Sequence, residues 1–144
     1  MIIGIGIDLV DMRRIQRLLE RFGERFIKKV FTKEESEYAN QSPSPLHAYA
    51  NRFAAKEAAS KALGTGMSGG IGWRDIEVSS GAFGAPSLTF HRKAYEKLLS
   101  RLPAGSMKCI HVSFSDEPPY STAFVIISAE KRNEPPPAKL EVLM

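Results

Sequence analysis

From Ile2 to Leu9 the chain alternates Ile3, Ile5 and Ile7 with Gly4, Gly6 and Asp8, and no other feature limits the possible folds as much. A period of two belongs to an extended strand, whose side chains point alternately to opposite faces. Glycines at successive positions of one face let a second backbone come close. The pattern predicts a buried strand with another element packed tightly against it. At Asp11 the period changes, and Met12, Ile15, Leu18, Leu19 and Phe22 recur at helical spacing until Gly23 ends the run.

The remaining elements follow from the same signals. A short helix is predicted over Thr32–Ala39, with Thr32 and Glu35 forming a capping box, before Ser42–Pro45 breaks the chain. Leu46–Leu63 is the longest helical pattern, rich in alanine and closed by Gly64. A glycine-rich loop, Gly64–Gly72, leads to a hairpin of Ile76–Ser80 and Ser87–Phe90 joined through Gly81–Pro86. His91–Leu102 returns to helical periodicity, and Met107–Ser115 and Ser121–Ala129 read as strands joined by Asp116–Tyr120. The expectation is α+β: one compact domain over residues 1–130, with a mixed sheet and a long helix. A Pro-containing tail over 131–144 follows, broken at Glu134–Pro137 and ending in Ala138–Met144, either loose or docked on a neighbour.

With 43% hydrophobic, 25% charged and 9% aromatic residues, the 144-residue chain has the balance of an ordinary globular protein. The single cysteine, Cys109, excludes an internal disulfide, and three scattered histidines give no zinc-ligand spacing. No apolar run approaches the ~20 residues of a membrane span, and Met1–Val10 lacks a basic leader and a cleavage site, so the expected location is the cytoplasm. Twenty Lys+Arg against sixteen Asp+Glu give a net charge of +4. The sequence pI is about 9.3, a field that attracts anionic partners. Arg14, Arg17, Arg21, Arg25 and Lys28 keep to one side of a helix. Three readings are open for this stripe: a solvated face, a nucleic-acid contact without an aromatic stacking platform, or a docking surface for an acidic protein.

Two acidic residues break their own patterns. Asp8 stands at the end of the first strand on its glycine face, either as a helix cap, with Asp8-x-x-Asp11 resembling a capping box, or as part of a site. Glu57 falls on the small-residue face of the long helix, among Ala50, Phe53, Ala54, Ala58 and Ala62, where a carboxylate needs a partner. That partner is either Lys61, four residues on, or a hard cation shared with Asp8. Magnesium takes one or two carboxylates together with waters and phosphate oxygens, and needs neither histidine nor cysteine. The glycines after the helix could offer backbone N–H groups to phosphate, although they follow a helix C-terminus and form no Walker motif; a plain cap and loop is the simpler reading.

Gly6-Ile7-Asp8-Leu9-Val10 running to Arg14-Ile15, followed by Arg52-Phe53-Ala54-Ala55-Lys56-Glu57-Ala58 and Lys61-Ala62-Leu63-Gly64-Thr65-Gly66, resembles the signature pair of the holo-acyl-carrier-protein synthases. These are small bacterial phosphopantetheinyl transferases. The likeness continues through Trp73-Arg74-Asp75-Ile76-Glu77-Val78, Gly84-Ala85-Pro86, His111-Val112-Ser113-Phe114-Ser115 and Ala123-Phe124-Val125, and so spans most of residues 1–129.

The resemblance implies transfer of 4′-phosphopantetheine from coenzyme A to a serine of apo-acyl carrier protein in fatty acid biosynthesis, releasing adenosine 3′,5′-bisphosphate. It implies magnesium held by Asp8 and Glu57, with Lys61 beside the pyrophosphate, Arg52, Lys56 and Gly64 near the coenzyme, and a homotrimer with active sites between subunits. Two carboxylates, a cation and a lysine can neutralise phosphoryl charge without a nucleophilic side chain. Glu57 and Lys61 stand nearest for relaying the serine proton. Carrier proteins of this pathway are acidic, which gives the basic stripe a use. Arg14 matches an acceptor-contacting position, while Arg17, Arg21, Arg25, Met12, Leu18 and Phe22 join it by helical phase. Neither nucleic acid nor membrane is an expected partner. The alternative is a non-enzymatic basic module that binds nucleotides or nucleic acid. One departure stands out: Asp116 follows Ser113-Phe114-Ser115 where many relatives have histidine, so it points away, caps the turn, or binds through water or metal. His111 is expected to be a locally hydrogen-bonded strand residue.

Overall fold

The computed structural model describes residues 1–133. The break expected at Glu134–Pro137 and the end of the tail lie outside the described residues. In chain order the elements are β1 (Ile2–Asp11), α1 (Met12–Phe22), α2 (Glu24–Val30), α3 (Lys33–Gln41), α4 (Pro45–Leu63), a 3-10 turn (Trp73–Asp75), β2 (Ile76–Ser80), β3 (Pro86–Phe90), α5 (Arg92–Arg101), β4 (Ser106–Glu117) and β5 (Tyr120–Lys131). The α+β class and the long helix stand. The sheet expected to be mixed is instead two sheets with antiparallel pairing throughout: β1-β5-β4, and the hairpin β2-β3. The reason is connectivity, since β4 and β5 join through a tight turn and β1 closes on β5 from the other end of the chain.

The glycine face of β1 does what its pattern predicts. A Cβ on Gly4 would lie 1.9 Å from the Ala62 carbonyl oxygen, and one on Gly6 would lie 1.8 Å from that of Ala58. Helix α4 therefore crosses β1 backbone to backbone, and alanine is the largest residue its facing side tolerates. Arg101 of α5 locks the crossing. Its guanidinium donates to the Ala62, Leu63 and Ile3 carbonyls at 3.2, 2.6 and 2.8 Å, so the helix end and the strand share one donor group.

The opposite face of β1 departs from expectation. Ile5, Ile7 and Leu9, read as part of a buried strand, are 59%, 61% and 65% exposed. The alternation was correct, but α4 covers only one side of the three-stranded sheet. Gly23 does more than end α1: at φ +50° it turns the chain into α2, so the basic stripe is divided between two helices. Met12, grouped with the docking residues by phase, is 3% exposed and belongs to the core.

Candidate active site

Asp8 lies on the covered face of β1 and does not cap α1. Asp11 does, accepting from the Arg13 amide at 2.9 Å and held at a pKa of about 2 by that side chain. Asp8 is thus left with no helix-capping duty. Its carboxylate meets Lys61 Nζ at 3.1 Å, and the same ammonium donates to the Ile7 carbonyl at 3.0 Å. Lys61 therefore reaches across to β1 rather than back along its own helix to Glu57. Burial first, and then the charge of Asp8, push the Glu57 carboxyl above its ordinary value, with Lys61 and Arg14 pulling the other way. Two carboxylates from separate elements thus feel one another's charge, with Lys61 and Arg14 acting on the same group.

Among the described residues no group of three or more His, Cys, Asp and Glu is arranged to hold a metal. The donor set is a carboxylate pair, which suits a hard cation completed by waters and phosphate oxygens.

Arg52, on the next face of α4, is 3% exposed and lies in a cleft of about 210 Å³ with His47, Asn51, Ser80 and Gly84. Its Nη2 donates to Ser80 Oγ at 3.0 Å and its guanidinium stacks 4.1 Å from the Tyr38 ring, while its buried Nε has no partner among the described residues. A buried donor left unused is expensive unless a ligand takes it.

Lys56 and Gly64 are both engaged within the fold. Expected near the coenzyme, the Lys56 ammonium is fully buried, 2.7 Å from Glu35 Oε1, and donates to the Trp73 and Ile76 carbonyls at 3.0 and 2.6 Å. Adjacent charges on a helix look alike in sequence, and only packing shows which is enclosed. The amides of Gly64 and Gly66 turn back onto the Lys61 and Ser60 carbonyls at 2.9 and 3.1 Å. They cap α4, with Gly64 left-handed at φ +82°, and so do not present N–H groups to phosphate.

Of the residues expected to receive an acidic partner, Arg14, Phe22 and Arg25 line a groove of about 410 Å³, floored by Phe26, Phe53 and Trp73. Arg17 and Arg21 line an adjoining depression beside Glu20. Sequence reasoning missed the floor: Trp73 stacks on Phe53 at 4.9 Å, and Arg14 sits 5.5 Å over the same Phe53 ring. The lone tryptophan after the glycine loop was the available signal. Asp116 and His111 are both exposed, on β4, and neither has a side-chain hydrogen bond among the described residues, so His111 is not held locally as expected.

The strand and the alanine-faced helix that cross at backbone contact belong to a transferase fold. Residues 4–125 match the model of the 4′-phosphopantetheinyl transferase superfamily. Within it the chain belongs to the holo-[acyl-carrier-protein] synthase family. It is 53% identical over 129 residues to the synthase of Methylorubrum populi, covering 90% of this chain and 95% of the relative. The crystal structure of the Neisseria meningitidis synthase superposes with a TM-score of 0.76 at 40% identity, covering 91% of this chain and all of that one. A synthase of Bacillus anthracis, solved in complex with CoA (3′,5′-ADP), superposes with a TM-score of 0.71 at 30% identity, covering 90% and 99%. This is an enzyme family, so the alternative of a non-enzymatic binding module is set aside. No helix among the described residues is long and apolar enough to cross a membrane.

Proposed function

We propose that the protein transfers 4′-phosphopantetheine from coenzyme A to a serine of apo-acyl carrier protein, with adenosine 3′,5′-bisphosphate as the leaving product. The observation that carries this reading is the Asp8–Lys61 ion pair, which ties β1 to α4 one helical turn from Glu57, the carboxyl that the Asp8 charge raises. Asp8 and Glu57 fit magnesium, because their mutual repulsion is relieved by a divalent cation and their oxygens leave positions for waters and phosphate. Bound there, the metal would neutralise charge on the diphosphate. Lys61 adds a second positive charge beside the same carboxylates. The free Nε–H of Arg52 supports an anionic end of the coenzyme in its cleft.

The groove under Arg14 and Arg25 supports docking of an acidic carrier protein, with charge to steer it and Phe22, Phe26 and Trp73 for contact. The uncovered apolar face of the sheet supports assembly as a homotrimer.

The test is mass spectrometry of apo-acyl carrier protein incubated with coenzyme A, magnesium and the protein. The expected result is a gain of one phosphopantetheine, lost by about 100-fold or more in rate in Asp8→Ala and Glu57→Ala, a magnitude typical of removing transition-state charge stabilisation. An unchanged acceptor mass with a competent carrier overturns the reading.

A further inference from the structure

Glu35 and Lys56 form a buried ion pair, both side chains fully enclosed. Neither touches the carboxylate pair, yet together they bond to four elements. Lys56 Nζ, from α4, reaches Glu35 Oε1 of α3 at 2.7 Å, the Trp73 carbonyl at 3.0 Å and the Ile76 carbonyl of β2 at 2.6 Å. Glu35 accepts from the Thr32 amide at 2.8 Å through Oε1 and from the Val78 amide of β2 at 2.9 Å through Oε2. The pair thus completes the edge of β2 that β3 leaves open. A buried ion pair adds little stability over an apolar pair of the same volume, and its characteristic contribution is to fix one arrangement among several.

What it fixes is set by its neighbours. Lys56 directly precedes Glu57, so on a rigid helix the rotation that sends Lys56 toward β2 also sends Glu57 toward β1. Two residues beyond Val78, Ser80 accepts from the otherwise under-satisfied Arg52 guanidinium. Trp73, whose carbonyl Lys56 holds, is the ring stacked under Phe53 in the basic groove.

We infer that the buried Glu35–Lys56 pair is a positioning device for the reaction centre, locking the rotation of α4, and hence Glu57 beside Asp8, to the β2–β3 hairpin that orients Arg52. This rests on the transferase reading and extends it to two residues that touch no substrate.

The decisive variant is Glu35→Gln combined with Lys56→Met. It leaves no unpaired buried charge, its amide oxygen keeps an acceptor for one of the Thr32 and Val78 amides, and its NH2 can donate to one of the Trp73 and Ile76 carbonyls that Lys56 no longer serves. Lys56→Met alone strands the carboxylate and is expected to melt below the double variant. The double variant should fold, exchange the backbone amides of residues 76–90 faster than the parent, and bind Mn2+ (read by electron paramagnetic resonance without nucleotide) about 10–100-fold more weakly, the loss typical of removing an outer support. Its kcat should fall by a similar factor while KM for the carrier protein holds. Parent-like exchange, Mn2+ affinity and kcat in the folded double variant would overturn the inference, and so would a double variant that does not fold, because the pair's role would then be stability alone. A parent protein with neither Mn2+ affinity nor transferase activity would instead overturn the reading beneath it.

Discussion

At Glu57 burial first, and then the charge of Asp8, raise a half-buried carboxylate's affinity for a proton. A carboxyl whose pKa is higher folded than unfolded binds more protons in the folded state, so stability falls as pH rises from the ordinary carboxylate value through the raised one. At neutral pH the ionised side chain opposes folding. Glu57→Gln should therefore raise the melting temperature at pH 7, with the gain vanishing below the ordinary carboxylate pKa. Magnesium should raise the melting temperature of the parent and leave the variant unmoved. Turnover should fall by about 100-fold or more. Differential scanning calorimetry across pH, with and without magnesium, checks this, and a variant less stable than the parent at pH 7 would contradict it. Asp8 and Glu57 were legible because each interrupts the pattern around it, an acid on a glycine face and an acid on an alanine face. The fate of Lys56 was not, since a run of Lys56, Glu57 and Lys61 gives no hint of which charge is enclosed. Glu35 was half legible: its spacing from Thr32 announced the cap, but nothing local announced that its second oxygen serves β2.

Between elements, the crossing of α4 over β1 governs the site, because Gly6 and Ala58 leave no room for a side chain at the contact. Gly6→Ala has to push the helix and strand apart, since the obstruction is backbone rather than a movable side-chain tip. The expected cost is about 1–3 kcal/mol of stability, the usual range for overpacking. Activity should drop further than stability, because the displacement separates Glu57 from Asp8. Chemical denaturation together with the transfer assay measures both, and a fully active, parent-stable Gly6→Ala protein would refute the close crossing. Period-two and helical patterning made β1, α1, α3, the hairpin and the β4–β5 pair readable, and α4, buried nearly all round, was readable from its alanine run and the Gly64 stop. What the pattern hid was α2. Gly23 carries a stop signal for α1, and the basic spacing runs through it as though one helix continued, so only the backbone geometry at φ +50° separates the two.

At the scale of the whole molecule, the described residues cover the three-stranded sheet on one side only. Across its outer face Ile5 pairs with Ile126 and Ile7 with Phe124, and Ile7, Leu9, Met107 and Phe124 are 61%, 65%, 48% and 41% exposed. Monomers rarely keep apolar patches beyond roughly 300–600 Å², and these exposed side chains are what the proposed homotrimer would bury. The sequence disclosed the isoleucines but assigned them to the interior, since alternation tells which residues share a face and not whether that face is covered. Ile7→Asp places a charge at the middle of this face without touching the glycine side. Light scattering on the parent should give a mass of three copies of the 15.9 kDa chain, and the variant should run as a single copy with its far-ultraviolet circular dichroism unchanged. If the active sites form between subunits, the variant should lose transfer activity in the same proportion as it loses the trimer, and raising its concentration should restore both together. A parent that remains a single copy at high micromolar concentration would leave the outer face without an occupant and remove the trimer from the proposal. The two carboxylates would then have to work within one chain, where Lys61 already ties Asp8 to the helix that carries Glu57.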